Sequence, residues 1–577
     1  MSLFGSLQTA SNTLQAMQIG LQVVSNNIAN ANTEGFIREQ VNYAPAPVQK
    51  KGRLNIGLGV MVDSITQKVD DFLGEQLRDA TGDRVSAELQ NDAYKDLEQL
   101  LGELSDNDLS SALTGFFGSL QDTTNAVAGD ALSVRNLAVL EGRQLTSEIR
   151  RIEDRARELR NSYDDRIAES VGQINSLADE ITKLNIRITQ TEGGSAGSSD
   201  AGALRSARNE AVNKLSELVG VTVEEQPSGG LAIAVGGEFL VFEGQRRELS
   251  LETADPDLEA ASQLVFADTG KAIEPSSGSI HGYTVARDEI VDGFRDNLDE
   301  FAQTLIFEFN KVYSQGQGLD GFQSLTSYAG VDDPNVPLAA SGLPFPIENG
   351  EFKITLHNDS GSVETTTISV KSLNEGGGDD ATLSTVRQQL DAIDGLNASI
   401  GADGRLSISA DASDSQFVFS DDTSGFLAAI GLNTFFTGDG SLDINVNSEL
   451  DGIQNAGKLA LRRTDPTKET AGPGGTQENA VLLAGLLDEP LDSLDGASII
   501  ERYDQVVNDL AQNSTVAGSV LDGLGVFEST LANEFQAISG VNIDEEAIDM
   551  ISLQRIYQAT ARVISTIQEM LDTLVNL

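Results

Sequence analysis

The chain of 577 residues contains no cysteine. Disulfide staples, thiolate metal sites and thiol nucleophiles are therefore excluded. A chain of this size without a crosslink is held by packing alone, and one without thiols suits passage across a membrane in an unfolded state. Histidine occurs twice, as His281 and His357. Neither has a second histidine at metal-ligand spacing, so both read as structural residues. No run of about 18 apolar residues exists, so nothing in the sequence reads as a bilayer-spanning helix. The N-terminus lacks a basic stretch followed by continuous apolar residues, the pattern of a cleavable signal peptide. Basic residues are scarce, 38 against 89 acidic, for a net charge of −51. Such a surface repels nucleic acid and anionic membrane and keeps the free chain soluble. Ordered contact between copies must then be shape-specific and apolar at its centre.

Proline is sparse and confined. Two of the 12 stand at Pro45 and Pro47, and the other ten lie between Pro227 and Pro490. Because proline interrupts helices, 48–226 and 491–577 read as helical and the middle as irregular or β. Charge is absent altogether from the first 33 residues, although 22% of the chain is charged. At that frequency the stretch would carry about seven charges.

What occupies the uncharged stretch is a heptad stripe of Leu3, Leu7, Ala10, Leu14, Met17, Leu21, Val24 and Ile28. Its other face holds Gln8, Thr9, Asn12, Gln15, Gln18, Gln22, Asn26 and Asn27. Amides cost less to bury than charges when they find partners, so a helix uncharged all round suits a crowded place. The C-terminus repeats the pattern with Ile556, Thr560, Val563, Ile567, Met570, Leu574 and Leu577. Such four-three repeats specify helices that pack on helices. We therefore expect the two ends to form the assembly interface, mobile in the free chain and pairing as it joins an assembly.

Between the ends, alternation at Leu54, Ile56, Leu58, Val60 and Val62 suggests a strand, and helix is expected at about 66–102 and 106–128. Residues 132–191 read as the longest helix, with a four-three stripe from Leu145 to Ile188 and a stutter at Ile167. A Gly/Ser-rich loop over 193–202 precedes a helix at about 203–219, then strands through Val221, Ile233, Val235 and Val241. Helix returns at 282–313. Glu351–Leu356 and Val363–Val370 suggest a hairpin turning at Asn358–Gly361, and Arg405–Ala410 with Gln416–Ser420 a second pair. Helix resumes from about 475. The expected class is α+β multidomain: a terminal-helix coiled coil and an elongated helical-bundle domain, with inserted β-rich outer domains. The expected boundaries are 1–46 with 537–577 for the terminal core; 47–215, 282–334 and 448–536 for the helical domain; 216–281 for an inserted β domain; and 335–447 for an inserted mixed α/β domain.

A search for chemistry finds little. Ser195 sits in a Gly193–Gly197 match to the nucleophile-elbow pattern, without the strand that pattern requires before it. Asp439, Asp443, Asn445 and Asn447 alternate as in a calcium loop, but the glycine and the closing glutamate of such a loop are missing. The pairs Asp379–Asp380, Asp421–Asp422 and Asp488–Glu489 read as solvated turns. No catalytic, metal or cofactor residue is assigned.

The segment Ser25-Asn-Asn-Ile-Ala-Asn-Ala-Asn-Thr-Glu-Gly-Phe36 resembles the N-terminal signature of the bacterial flagellar axial proteins, the rod, hook and hook-associated proteins. The matching residues are Asn26, Asn27, Ile28, Asn30, Asn32, Thr33, Gly35 and Phe36. Ile56-Gly-Leu-Gly-Val60, Asp70-Asp-Phe-Leu73, Arg208-Asn-Glu210 and the tail from Ser539-Gly-Val-Asn-Ile-Asp-Glu-Glu546 to Glu569-Met-Leu571 are similar to its hook-associated branch. The resemblance implies a non-enzymatic structural protein, exported unfolded through the flagellar type III apparatus and built into the junction between hook and filament outside the cell. It implies four partners: other copies of itself, the hook protein, a second junction protein, and a cytosolic chaperone on the C-terminal helix. Two alternatives stay open at this point, another axial protein and a secreted elongated adhesin.

Overall fold

In the computed structural model the proline-free flanks are mainly helical, with short strands within 49–67 and at 222–225. The structure describes residues 3–575 apart from 34, 52–53, 103–107, 126–130, 194–200, 243, 254–261, 358–361, 372–379 and 464–475. Ser195, Leu577 and the Asn358–Gly361 turn lie outside the described residues. Twelve α-helices are assigned among them: α1 Leu3–Ala29, α2 Asp71–Leu101, α3 Leu109–Asp122, α4 Leu132–Thr191, α5 Gly202–Leu218, α6 Gly278–Val285, α7 Asp292–Tyr313, α8 Leu383–Asp391, α9 Phe426–Ala429, α10 Glu478–Gly485, α11 Ile499–Ser539 and α12 Ile543–Val575. The expected 132–191 helix is one unbroken element of 60 residues, and its stripe at Leu145, Ile149, Ile152, Ala156, Tyr163, Ile167, Ile174, Ile181 and Ile188 is buried. Helix α2 begins at Asp71 rather than about 66. The β-branched Ile65 and Thr66 extend a strand to Gln67, and the Leu73 amide donates to the Asp70 carboxylate at 3.1 Å, which caps the helix start.

The described residues fall into two compact units, one of Met1–Ala93, Arg160–Ile290 and Ser514–Leu577, the other of Tyr94–Leu159 and Val291–Asn513. The first holds four small antiparallel sheets. β1 (Glu39–Pro45) pairs with β4 (Val60–Gln67), with a bulge at Asn42/Tyr43, and β2 (Gln49–Lys51) with β3 (Leu54–Ile56). β5 (Thr222–Glu225), β6 (Leu231–Val235), β7 (Glu238–Phe242) and β8 (Gln245–Arg246) form a meander, and β9 (Leu249–Thr253), β10 (Ser262–Phe266) and β11 (Lys271–Ala272) a three-stranded sheet. Their core packs Ile174 and Ile181 of α4 and Val212 and Leu215 of α5 against Ile233, Val241 and Phe266.

In the second unit Phe116 and Phe117 of α3, Phe309 of α7, and Phe435 and Phe436 make one aromatic cluster, with ring centroids 4.8–6.1 Å apart. The Asn310 side chain satisfies the backbone of Phe435 and Phe436 beside it. β12 (Ser324–Gly330), β13 (Gly350–His357), β14 (Val363–Val370), β15 (Leu396–Ile400), β16 (Arg405–Ala410) and β17 (Gln416–Ser420) form the orders β12-β16-β15 and β14-β13-β17, and β18 (Phe436–Thr437) pairs with β19 (Asn445–Val446). The β13–β14 hairpin is present, but the expected pairing of β16 with β17 is not. β17 is buried at Phe417, Val418 and Phe419 on both its faces, so it lies beside β13 instead, while β16 takes β12 and β15 as neighbours. Asp422 is not in a solvated turn either. Its buried carboxylate accepts from the amides of Ser424, Gly425 and Leu427 at 2.9–3.0 Å and so caps the start of α9.

Candidate assembly site

The two striped ends meet within one chain: α1 packs along α12. At Gly20 an added Cβ would collide with the Tyr43 hydroxyl and stand 3.2 Å from Leu553 Cδ1 of α12. Burial, and then the Asp549 carboxylate, push the Tyr43 phenol above its ordinary pKa. Helix α1 also lies on the turn between β3 and β4. Asn12 Nδ2 donates to the Leu58 carbonyl at 2.9 Å. Gly59 has φ +92°, and a Cβ on it would be 2.7 Å from the Thr9 carbonyl, so glycine is required there on both counts.

At its C-terminal end the α1–α12 seam closes on a polar clamp. The buried Asn27 mimics a strand: its Oδ1 accepts from the Glu39 amide at 3.0 Å and its Nδ2 donates to the Glu39 carbonyl at 2.9 Å. Nδ2 also reaches Glu546 Oε2 at 3.1 Å. The other carboxylate oxygen of Glu546, which is 1% exposed, accepts from Arg38 Nε at 2.7 Å. Arg38 further contacts Glu545 at 3.2 Å and Asp549 at 3.8 Å. Its backbone amide donates to the Ser539 carbonyl at 3.0 Å, tying β1 to the end of α11. Asn542 caps α12, and Asp544, Glu545 and Glu546 complement the positive end of that helix. Asn30 bonds back to Asn26, and Gly35 turns the chain at φ +72° towards β1. Asn27, Asn30 and Gly35 of the signature thus have a local reason, while Asn26, Asn32 and Thr33 lie exposed.

The expected interface residues separate into two groups. On α1, Met17 and Val24 are buried, and Leu3, Leu7, Leu14, Leu21 and Ile28 are half-buried. On α12, Ile567 is buried, but Ile556, Val563 and Met570 are 43–49% exposed. The face that α12 turns towards α1 shares Thr560 and Ile567 with the expected stripe but otherwise runs through Glu546, Met550, Leu553, Tyr557, Ile564 and Leu571, again stepping by four and three. The exposed stripe runs about a quarter-turn round the helix from it, and Ile548 and Ile551 are also exposed, farther round the helix. Helix α12 therefore carries two apolar faces and covers only one within the chain. Helix α1 likewise turns outward Gln8, Ser11, Gln15, Gln18, Gln22 and Ser25, with no charge among them. Sequence reasoning missed Arg38 and Glu546 as a unit. The signal available was a lone carboxylate at a stripe position and the first cation after an uncharged stretch.

Among the described residues no cluster could hold a metal ion, and no helix is long and apolar enough to cross a membrane. His281 Nδ1 lies 2.8 Å from Ser86 Oγ, and His357 closes β13, so both serve local structure.

Comparison with known proteins agrees with this geometry. Residues 7–36 match the family model for flagella basal body rod protein, and 532–577 that for flagellar basal body rod FlgEFG protein C-terminal. These two stretches are α1 with its signature and α12 with the end of α11, and they define the class: a flagellar axial protein built on paired termini. Residues 94–326 match the helical domain of flagellar hook-associated protein FlgK. Flagellar hook-associated protein 1 of Escherichia coli (strain K12) is 25% identical, with 99% of each chain covered, and that of Salmonella typhimurium (strain LT2) is 26% identical, with 98% of each covered. Flagellar hook-associated protein 1 of Bacillus subtilis (strain 168) is 28% identical over 56% of this chain and 69% of its own. The chain belongs to the family of flagellar hook-associated protein 1.

Proposed function

We propose that this chain is a structural component of the bacterial flagellum that assembles as the junction zone between hook and filament and allows the filament to grow. One observation carries the reading: α12 satisfies α1 with one apolar face and leaves the stripe of Ile556, Val563 and Met570 uncovered on a chain of net charge −51. An uncovered apolar stripe on a strongly acidic molecule is suited to a neighbour that presents a matching neutral surface. On this reading 1–46 with 537–577 form the inner core of the junction, and the inserted modules at 216–281 and 335–447 face outward. The working location is outside the cell, reached unfolded through the type III apparatus. The partners are copies of the chain itself, the hook protein, a second junction protein, and before export a cytosolic chaperone that covers the C-terminal amphipathic helix. The chain acts by shape and association rather than by catalysis.

Truncation tests this. Removing 545–577 deletes the clamp carboxylate and both faces of α12, while the second compact unit keeps its own core. The truncated protein should remain soluble and largely folded, yet fail to occupy the hook tip or support a filament. A truncated chain that still builds working junctions would contradict the proposal.

A further inference from the structure

The middle of α11 carries a second apolar face that none of the described residues covers. Val516, Val520, Gly523 and Phe527 step by four, three and four and so form one stripe, with Val526 at its edge. The four large side chains are 49–67% exposed. Leu531 and Phe535, which pack on Leu73 and Leu77 of α2, continue the helix four and eight residues beyond Phe527 and mark the buried face that borders the stripe. Between Ser514 and Asn533 the only charged residues are Asp522 and Glu528, and Glu528 is engaged by Arg84 and Thr81. Gly523 is the second clue. Glycine in mid-helix is destabilising relative to alanine, and here no local requirement explains it. Its backbone is helical, and an added Cβ would meet nothing within 4 Å. A small residue centred in an exposed apolar stripe leaves room for another backbone to approach.

We infer that the stripe of Val516, Val520, Gly523 and Phe527 is a lateral contact with a second copy of this chain, additional to the terminal helices. Charge singles out the occupant. Two molecules of −51 repel over most of their surfaces, and a nearly charge-free face gives identical copies a place to meet. The stripe stands to α11 as the Ile556 stripe stands to α12, beside the face already buried within the chain. The inference rests on the assembly reading above.

The test uses the full chain, in a strain that carries only the variant. Val520→Asp and Phe527→Asp should leave the melting temperature of the purified monomer and the exported amount unchanged. They should lower the copies retained per isolated hook, measured by quantitative immunoblot, at least tenfold. Gly523→Ala should raise monomer melting and still lower occupancy, a combination that a purely intrachain role cannot give. Normal occupancy in the two aspartate variants overturns the inference. So does a fall in monomer melting, which would place the stripe inside the fold, and so does a fall in export, which would assign it to an export partner. Ile556→Asp separates the two proposals. If it empties the junction while Val520→Asp does not, only the α11 contact fails; if neither does, the assembly reading fails as well.

Discussion

At the scale of single residues, the clamp of Asn27, Arg38 and Glu546 explains why an uncharged N-terminal helix is followed by an arginine. A carboxylate buried in an apolar seam is costly unless paired and hydrogen-bonded, and here Arg38 and Asn27 do both. Removing the cation leaves the charge stranded. Arg38→Ala should destabilise the terminal pair by about 3 kcal/mol, read as faster amide hydrogen exchange in α12. Glu546→Gln should cost less, because an amide oxygen still accepts. Equal exchange in wild type and Arg38→Ala would remove the clamp from the account. His357 gives a pH prediction. It is buried, and neither ring nitrogen has a hydrogen-bond partner among the described residues. Desolvation holds its pKa below the ordinary histidine value of 6.5. Above about pH 6.5 the ring is neutral folded and unfolded, and the contribution to stability is unaffected. As pH falls below that, the unfolded chain takes up the proton first, so stability declines until the lower folded pKa is passed. Melting at pH 7.5 and 5.5 should differ, and His357→Phe should shrink the difference.

At the scale of elements, the two faces of α12 make separable predictions. Ile567 lies in the seam and Ile556 outside it. Ile567→Asp should therefore loosen α12 from α1 in the monomer, whereas Ile556→Asp should leave monomer melting unchanged and block assembly. Similar melting losses for both would mean that α12 has one working face. Gly20→Leu forces a side chain against Tyr43 and Leu553 and should cost about 1–3 kcal/mol, the usual range for overpacking. The helices were legible in the sequence because proline is confined and the stripes are long. The 132–191 element needed nothing more. Which stripe of α12 faces α1 was not legible. Both are apolar with the same period, and only the partner surface, where Gly20 lies against Leu553 and Asn27 reaches Glu546, selects between them. The β16–β17 pairing failed for a related reason: adjacency in sequence suggests a hairpin, but the full burial of Phe417–Phe419 demands neighbours that a hairpin cannot supply. Asp422 was hidden too, since a capping carboxylate and a solvated one look alike in sequence.

At the scale of the whole molecule, the net charge of −51 sets the terms of assembly. Copies must overcome mutual repulsion before their apolar stripes meet, and salt screens that repulsion over about 10 Å at 0.1 M. Self-association of the purified chain should strengthen as salt rises from 0.05 to 0.5 M, on the order of the screening range, as judged by sedimentation. On the proposed reading the cores of the two units supply stability, while the ends, with their uncovered faces, decide whether copies join. Electron microscopy of flagella from a strain lacking this chain tests that most directly. The account predicts hooks that end bare, with filament protein shed into the medium, and filaments restored by the full chain but not by one lacking 545–577. Normal filaments without the chain, or full rescue by the truncated one, would contradict it.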